Sequence, residues 1–151
     1  MLITEIGEEE CRSILVNASH GHLGCCFSEQ PYVVPISFAF EPDYFYIIST
    51  SGQKVDWMRK NPKVCVQVDE IKNEVSWVSV IANGTYQELL EPQYTEERKH
   101  ARKLLDRRVR WWQTPLAERE AKSDNELIET LFFRVRVESF TGLRALEDNR
   151  E

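Results

Sequence analysis

Two runs of β-branched and aromatic residues, Tyr32–Phe40 (YVVPISFAF) and Tyr44–Thr50 (YFYIIST), are separated only by Glu41-Pro42-Asp43. So short a connection cannot carry a crossover, so the two runs must lie antiparallel. The short apolar run Leu23–Phe27 precedes them across the turn Ser28-Glu29-Gln30-Pro31, and together they predict a three-stranded meander. Pro35 falls inside the middle run. A proline cannot donate to a strand ladder, so it marks an edge, a bulge or a place where another group approaches.

The rest of the chain continues the β theme between helices. Lys63–Asp69 alternates cleanly, with Val64, Val66 and Val68 on one face and Cys65, Gln67 and Asp69 on the other. Glu70–Glu74 reads as a polar turn. Val75–Leu90 is mostly strand-like, and its Asn83-Gly84 suits either a hairpin turn or a glycine bulge. By itself the dipeptide favours the hairpin. Leu131–Phe140 alternates again, and Thr141-Gly142 is expected to end it.

Helices are expected over Glu8–Ala18, which His20–Gly24 breaks, over Gly52–Lys60, and from Thr95 to about Trp112. Ser51 is the expected N-cap of the second, and Asn61-Pro62 its stop. Thr114-Pro115 breaks the third, and Leu116–Thr130 is polar and weakly helical. Strands in runs with helices between them, and no strict βαβ alternation, point to an α+β or mainly β domain around an antiparallel barrel. No repeat or linker divides the 151 residues, so one domain over 1–151 is expected.

Charge narrows the partners. The formal net charge of −6 opposes nucleic-acid binding and binding to an anionic membrane surface. Residues 1–10 carry neither the basic start nor the apolar stretch of a signal peptide, and no run is long enough to span a bilayer, so a cytoplasmic protein is expected. Cys11, Cys25, Cys26 and Cys65 form no zinc spacing and read as core residues in a reducing compartment. His20 and His22 give two ligands without a third, so neither a metal nor a haem site is expected there. The basic stretch from Arg98 to Arg110 lies over an apolar helical stripe and reads as a solvated face. Trp111-Trp112 reads as core or dimer contact rather than a stacking platform.

One segment carries a chemical signal of its own. In Ser49-Thr50-Ser51-Gly52-Gln53-Lys54 a strand rich in hydroxyls enters a helix whose first turn holds a lysine. Unpaired N–H groups and the helix dipole attract anions, and Lys54 adds a full charge, so a phosphate suits this place. No catalytic triad, zinc-protease, P-loop or dinucleotide motif occurs.

Taken in order, YVVPISFAF, FYIIS (45–49), Gly52-Gln53-Lys54, Asn61-Pro62-Lys63-Val64-Cys65, Trp77-Val78-Ser79-Val80 leading to Gly84, and Phe133-Arg134-Val135 through Thr141-Gly142 resemble the pyridoxamine 5′-phosphate oxidase-like FMN-binding split-barrel family. Within it the chain is most similar to the branch that includes nitroimidazole-resistance proteins. The resemblance implies a six-stranded antiparallel split β-barrel with peripheral helices and Gly84 at a bulge in one long strand. It also implies a homodimer with FMN held at the interface.

Residue by residue, it implies that Pro35, Ile36 and Ser37 flank the flavin ring, and that Ser49 and Thr50 lie near the phosphate. Lys54 matches the phosphate-pairing lysine, and Gln53 stands where many members have arginine. Ser79 matches a polar position that hydrogen-bonds the ring, with Trp77 beside it, and Thr141, Gly142 and Arg144 match a C-terminal stretch that approaches the flavin. The arginine-containing end with which true pyridoxamine phosphate oxidases grip their substrate is missing, and Ile48 replaces the histidine of many resistance proteins. The expected function is therefore an FMN-dependent oxidoreductase acting on a small molecule, with NAD(P)H as a candidate donor. The alternative is a non-catalytic protein of the same fold that binds or carries flavin, deazaflavin or haem.

Overall fold

The computed structural model describes residues 1–107 and 130–148. Its elements run β1 (Leu2–Ile6), α1 (Glu8–Asn17), β2 (His20–Phe27), β3 (Gln30–Ser37), β4 (Ala39–Glu41), β5 (Tyr44–Thr50), α2 (Gln53–Lys60), β6 (Lys63–Asn73), β7 (Ser76–Glu88), α3 (Thr95–Asp106) and β8 (Thr130–Leu146). The end of the third predicted helix, Trp111-Trp112 and Leu116–129 lie outside the described residues.

All eight strands form one antiparallel sheet in the order β3-β2-β6-β7-β8-β5-β4, with β1 paired to β8 beside this path. Six strands are expected from the sequence, and eight form among the described residues for two reasons. The predicted run Tyr32–Phe40 divides at Phe38 into β3 and β4, and Leu2–Ile6 finds a partner in β8. The division at Phe38 also overturns the three-stranded meander. β2 and β3 do pair, through a two-residue loop whose Ser28 and Glu29 both have positive φ (50° and 65°). That geometry is the hairpin turn matching strand twist. β5, however, pairs with β8 and β4, not with β3. The chain thus crosses from one end of the sheet to the other within a single residue, which brings the two ends together around a common interior. The Ser19 carbonyl pins this corner by accepting from the Phe38 backbone N–H at 3.0 Å and the Ser37 hydroxyl at 3.2 Å.

The interior follows the alternation read from the sequence. Val64, Val66 and Val68 are buried, as are Phe133 and Val135. Phe38, Phe40 and Phe45 fill the middle, with ring centroids 5.0 Å and 4.8 Å from Phe45. Leu15 of α1 and Val55 and Met58 of α2 join this core. A second cluster packs Ala101 and Leu105 of α3 against Ala39, Tyr46 and Phe132. Phe132 is buried too because α3 covers its face, and Arg98 and Arg102 lie over its ring at 4.9 Å and 5.7 Å. Of the basic residues read as a solvated face, Arg102 stays exposed while Arg98 is half-buried and packs on the ring.

Four local expectations are corrected. Asn83-Gly84 forms no hairpin, because β7 runs unbroken through it and pairs with β6 and β8. The register shifts there, since Asn83 faces Ser139 and Gly84 faces Val137, which leaves Glu138 of β8 as the extra residue of a bulge. β8 does not end at Thr141-Gly142 but continues to Leu146, because β1 and β7 pair with it on both sides. β6 extends through the expected polar turn to Asn73, carried by pairing with β7. β2 begins at His20, within the expected helix break, where Ser37 and Ile36 supply a ladder. Among the described residues no helix is long and apolar enough to cross a membrane.

Candidate functional site

The outer face of the sheet gathers Pro35, Trp77, Ser79 and Thr141. β3 ends the sheet, so the missing N–H of Pro35 costs no ladder bond, as its presence in the run suggests. Pro35 faces His22, His22 faces Gln67, Gln67 faces Ile81, and Ile81 faces Thr141, a straight row across five strands. The neighbouring row carries Asp69, Ser79 and Leu143. Alternation turns Val78, Val80 and Ala82 inward and leaves Trp77, Ser79 and Ile81 outward.

A groove of about 610 Å³ crosses this face, with Pro35 and Ile36 on one wall, Gln67 and Asp69 on the other, and His20 and His22 between them. Its size lies within the roughly 300–1,000 Å³ of small-molecule sites. A smaller groove of about 290 Å³ holds Ser79, Ile81, Thr141 and Leu143. A polar array joins the two. The Gln67 amide nitrogen donates to Asp69 Oδ2 at 3.0 Å and to Ser79 Oγ at 3.1 Å. Sequence reasoning overlooks Gln67 and Asp69. Alternation places them on the outward face, but only the pairing of β6 with β2 and β7 sets them between Pro35 and Ser79.

The anion-attracting segment lies at the end of β5. Ser49 is buried, and its hydroxyl donates to the Thr50 carbonyl at 3.0 Å. Thr50 is half-buried opposite Thr130. The N-cap of α2 is Gly52, not Ser51, and no side chain caps the helix. A helix start attracts anions, and exposed Gln53 and half-buried Lys54 stand in its first turn. Lys54 lies close enough to Cys25 to oppose the rise in thiol pKa that burial causes and the neighbouring Cys26 and Cys65 thiols reinforce.

Other candidates have structural partners. Ser37 spends its hydroxyl hydrogen on the Ser19 carbonyl. Trp77 faces Ala145 across β7–β8, and Arg144 pairs with Glu10 of α1. Burial raises the pKa of Cys11, aided by Glu10 and Glu8, which opposes thiolate formation. Among the described residues no three His, Cys, Asp or Glu side chains are placed to hold a metal.

Fold and site together define a split-barrel domain with a groove of small-molecule size on its outer face and a helix start that carries a lysine in its first turn. The pyridoxamine 5′-phosphate oxidase family profile matches residues 7–144, and the chain belongs to that family. An uncharacterised protein of Rhizobium meliloti (strain 1021) is 36% identical over 146 residues, covering 96% of this chain and 97% of that one. The crystal structure of a FAD-binding protein from Mesorhizobium loti is 34% identical, with a TM-score of 0.79 over 97% of this chain and 99% of that one. A FAD-binding protein from Mycobacterium smegmatis shares the fold at 18% identity, with a TM-score of 0.68 over 96% and 100% of the two chains.

Proposed function

We propose that this chain binds FMN between two copies of itself and serves as an oxidoreductase for a small molecule. The observation that carries this reading is the start of α2, where a glycine N-cap and Lys54 in the first turn meet the end of β5. A phosphate seated there gains the helix dipole and a charge-assisted bond from Lys54. The Pro35 wall offers an end strand with a free edge for the ring. Similarity to the FAD-binding protein of Mesorhizobium loti supports a flavin, and the start of α2 offers a seat for the one phosphate of the mononucleotide.

A second copy follows from spacing. Pro35 and Ser79 lie three strand intervals apart, on β3 and β7 of one sheet. At 4.7–4.9 Å per interval that is about 14 Å. Contact of both residues with one ring is then most simply made by two chains, one supplying Pro35 and the other Ser79. Exposed Ile81 and Leu143 on the same face give the second copy apolar surface to cover. When bound, the flavin supplies electron or hydride transfer, while the protein orients it, excludes water and tunes its potential.

The test is a titration of the purified protein with FMN and, separately, FAD, followed by NAD(P)H. Tighter binding of FMN, bleaching by NAD(P)H and a dimer mass are expected. Lys54→Ala should weaken FMN binding roughly 10- to 100-fold, the worth of a hydrogen bond to a charged group. Unchanged affinity in this variant would remove the phosphate assignment. Bound flavin that NAD(P)H fails to bleach would favour a carrier, and a monomer mass with flavin bound would exclude the shared site.

A further inference from the structure

We propose that Gln67 is a positioning residue that holds the Ser79 hydroxyl as a hydrogen-bond donor toward the bound ring. The inference rests on the flavin reading above and adds to it a residue and a direction of bonding. Asp69, an acceptor when ionised, takes one amide hydrogen of Gln67 at 3.0 Å. That contact fixes which end of the amide faces Asp69 and Ser79, and it is the nitrogen. The second amide hydrogen goes to Ser79 Oγ at 3.1 Å.

A serine hydroxyl has one hydrogen and two lone pairs. With a lone pair engaged by Gln67, the hydrogen is left to point elsewhere, and accepting one bond strengthens the donation of another. The flanking Val78 and Val80 are buried, so Ser79 projects from the opposite side of β7, into the groove shared with Ile81, Thr141 and Leu143. Asp69, Gln67 and Ser79 thus form a chain with a fixed polarity that ends in an outward O–H. A lone serine would sample several rotors at that place, and the chain selects one. Reduction places electron density on the ring nitrogens and carbonyls, so a donor held there favours the reduced form and raises the potential.

The experiment is a double-mutant cycle on the dimer reconstituted with FMN. It reads FMN affinity, the visible spectrum of the bound flavin and its midpoint potential. Gln67→Leu and Ser79→Ala are each expected to weaken FMN binding roughly 3- to 10-fold, the range of one hydrogen bond. Each is also expected to make the potential more negative. The double variant should be no worse than Ser79→Ala, because Gln67 acts only through the hydroxyl. Gln67→Thr, too short to reach Ser79 and well suited to a strand, should repeat the Leu result and guards against a folding defect specific to leucine. If Ser79→Ala weakens binding while both Gln67 variants leave affinity, spectrum and potential unchanged, Gln67 has no such role. Additive effects in the double variant overturn it equally. If Ser79→Ala itself changes nothing, the placement of the ring at Ser79 fails instead, and the inference falls with it.

Discussion

Gly84→Ala tests the close approach of β7 and β8 at the bulge. A Cβ built on Gly84 would press into the backbone carbonyl oxygen of Arg136, and it would stand 2.9 Å from Val135 Cγ1 and 3.0 Å from the Arg136 carbonyl carbon. The valine methyl can rotate away. The carbonyl belongs to the β8 ladder, so relief requires the strands to separate. Overpacking of this kind costs about 1–3 kcal/mol, and a backbone obstacle places it near the top of that range. Alanine also restricts the unfolded chain, which returns about 0.4–1 kcal/mol. The net loss is then about 2 kcal/mol. With a urea m-value of about 2 kcal/mol/M, the unfolding midpoint should fall by about 1 M with the slope unchanged. Gly7→Ser is the control. Nothing stands within 4 Å of its added Cβ, and serine is a good residue at this N-cap of α1, so its midpoint should match the wild type. A Gly84→Ala midpoint within roughly 0.3 M of the wild type would sink the argument, since strands that tolerate the methyl are not in that register.

Two further perturbations address polar side-chain pairs, and both are read by urea unfolding. Glu88 accepts from Arg59 at 2.8 Å and from the Tyr86 hydroxyl at 2.7 Å. Burial acts to raise its pKa, but these bonds and the Arg59 charge outweigh it and hold the carboxyl below its ordinary value. Its contribution is therefore present above about pH 4.3, the unfolded value, and is lost as the pH falls from there through the lower folded value. Glu88→Gln should lower stability at pH 7 and flatten that acid-side loss, and an unchanged acid profile would rule out this role. Arg12 donates to both carboxylate oxygens of Asp43, at 2.7 Å and 3.2 Å, and lies 5.0 Å over the Phe140 ring. Arg12→Ala should lower the urea midpoint only modestly, because the pair is bidentate but one-third exposed. A loss that high salt erases in the wild type would identify the charge pair, rather than the ring contact, as the main component.

The alternation in Lys63–Asp69 and Leu131–Phe140 gave the right inward faces, because a strand between core and solvent must bury every second residue. Pro35 marked an end strand, and the hydroxyl-rich approach to Lys54 marked a helix start, since both signals depend on local backbone chemistry. Asn83-Gly84 misled for a related reason. The dipeptide reports what the local backbone permits, whereas strands on both sides held it extended. The same holds for Thr141-Gly142, where Ile6 and Cys11 crowd the glycine as β8 passes through. Gln67 carried no signal of its own, and its position between Asp69 and Ser79 came only from the pairing of β6 with β7.

By itself the sequence determined the antiparallel character, the inward and outward faces of its clearest strands and the helix start that follows β5. Each of these depends on residues a few positions apart, within reach of sterics, burial periodicity and the helix dipole. Tertiary structure alone decided that the chain divides at Phe38, so that β3 and β4 stand at opposite ends of one sheet. It also decided that Pro35, His22, Gln67, Ile81 and Thr141 fall in one row. Strand order and register are fixed by contacts between residues tens of positions apart, whose combined packing no local window contains.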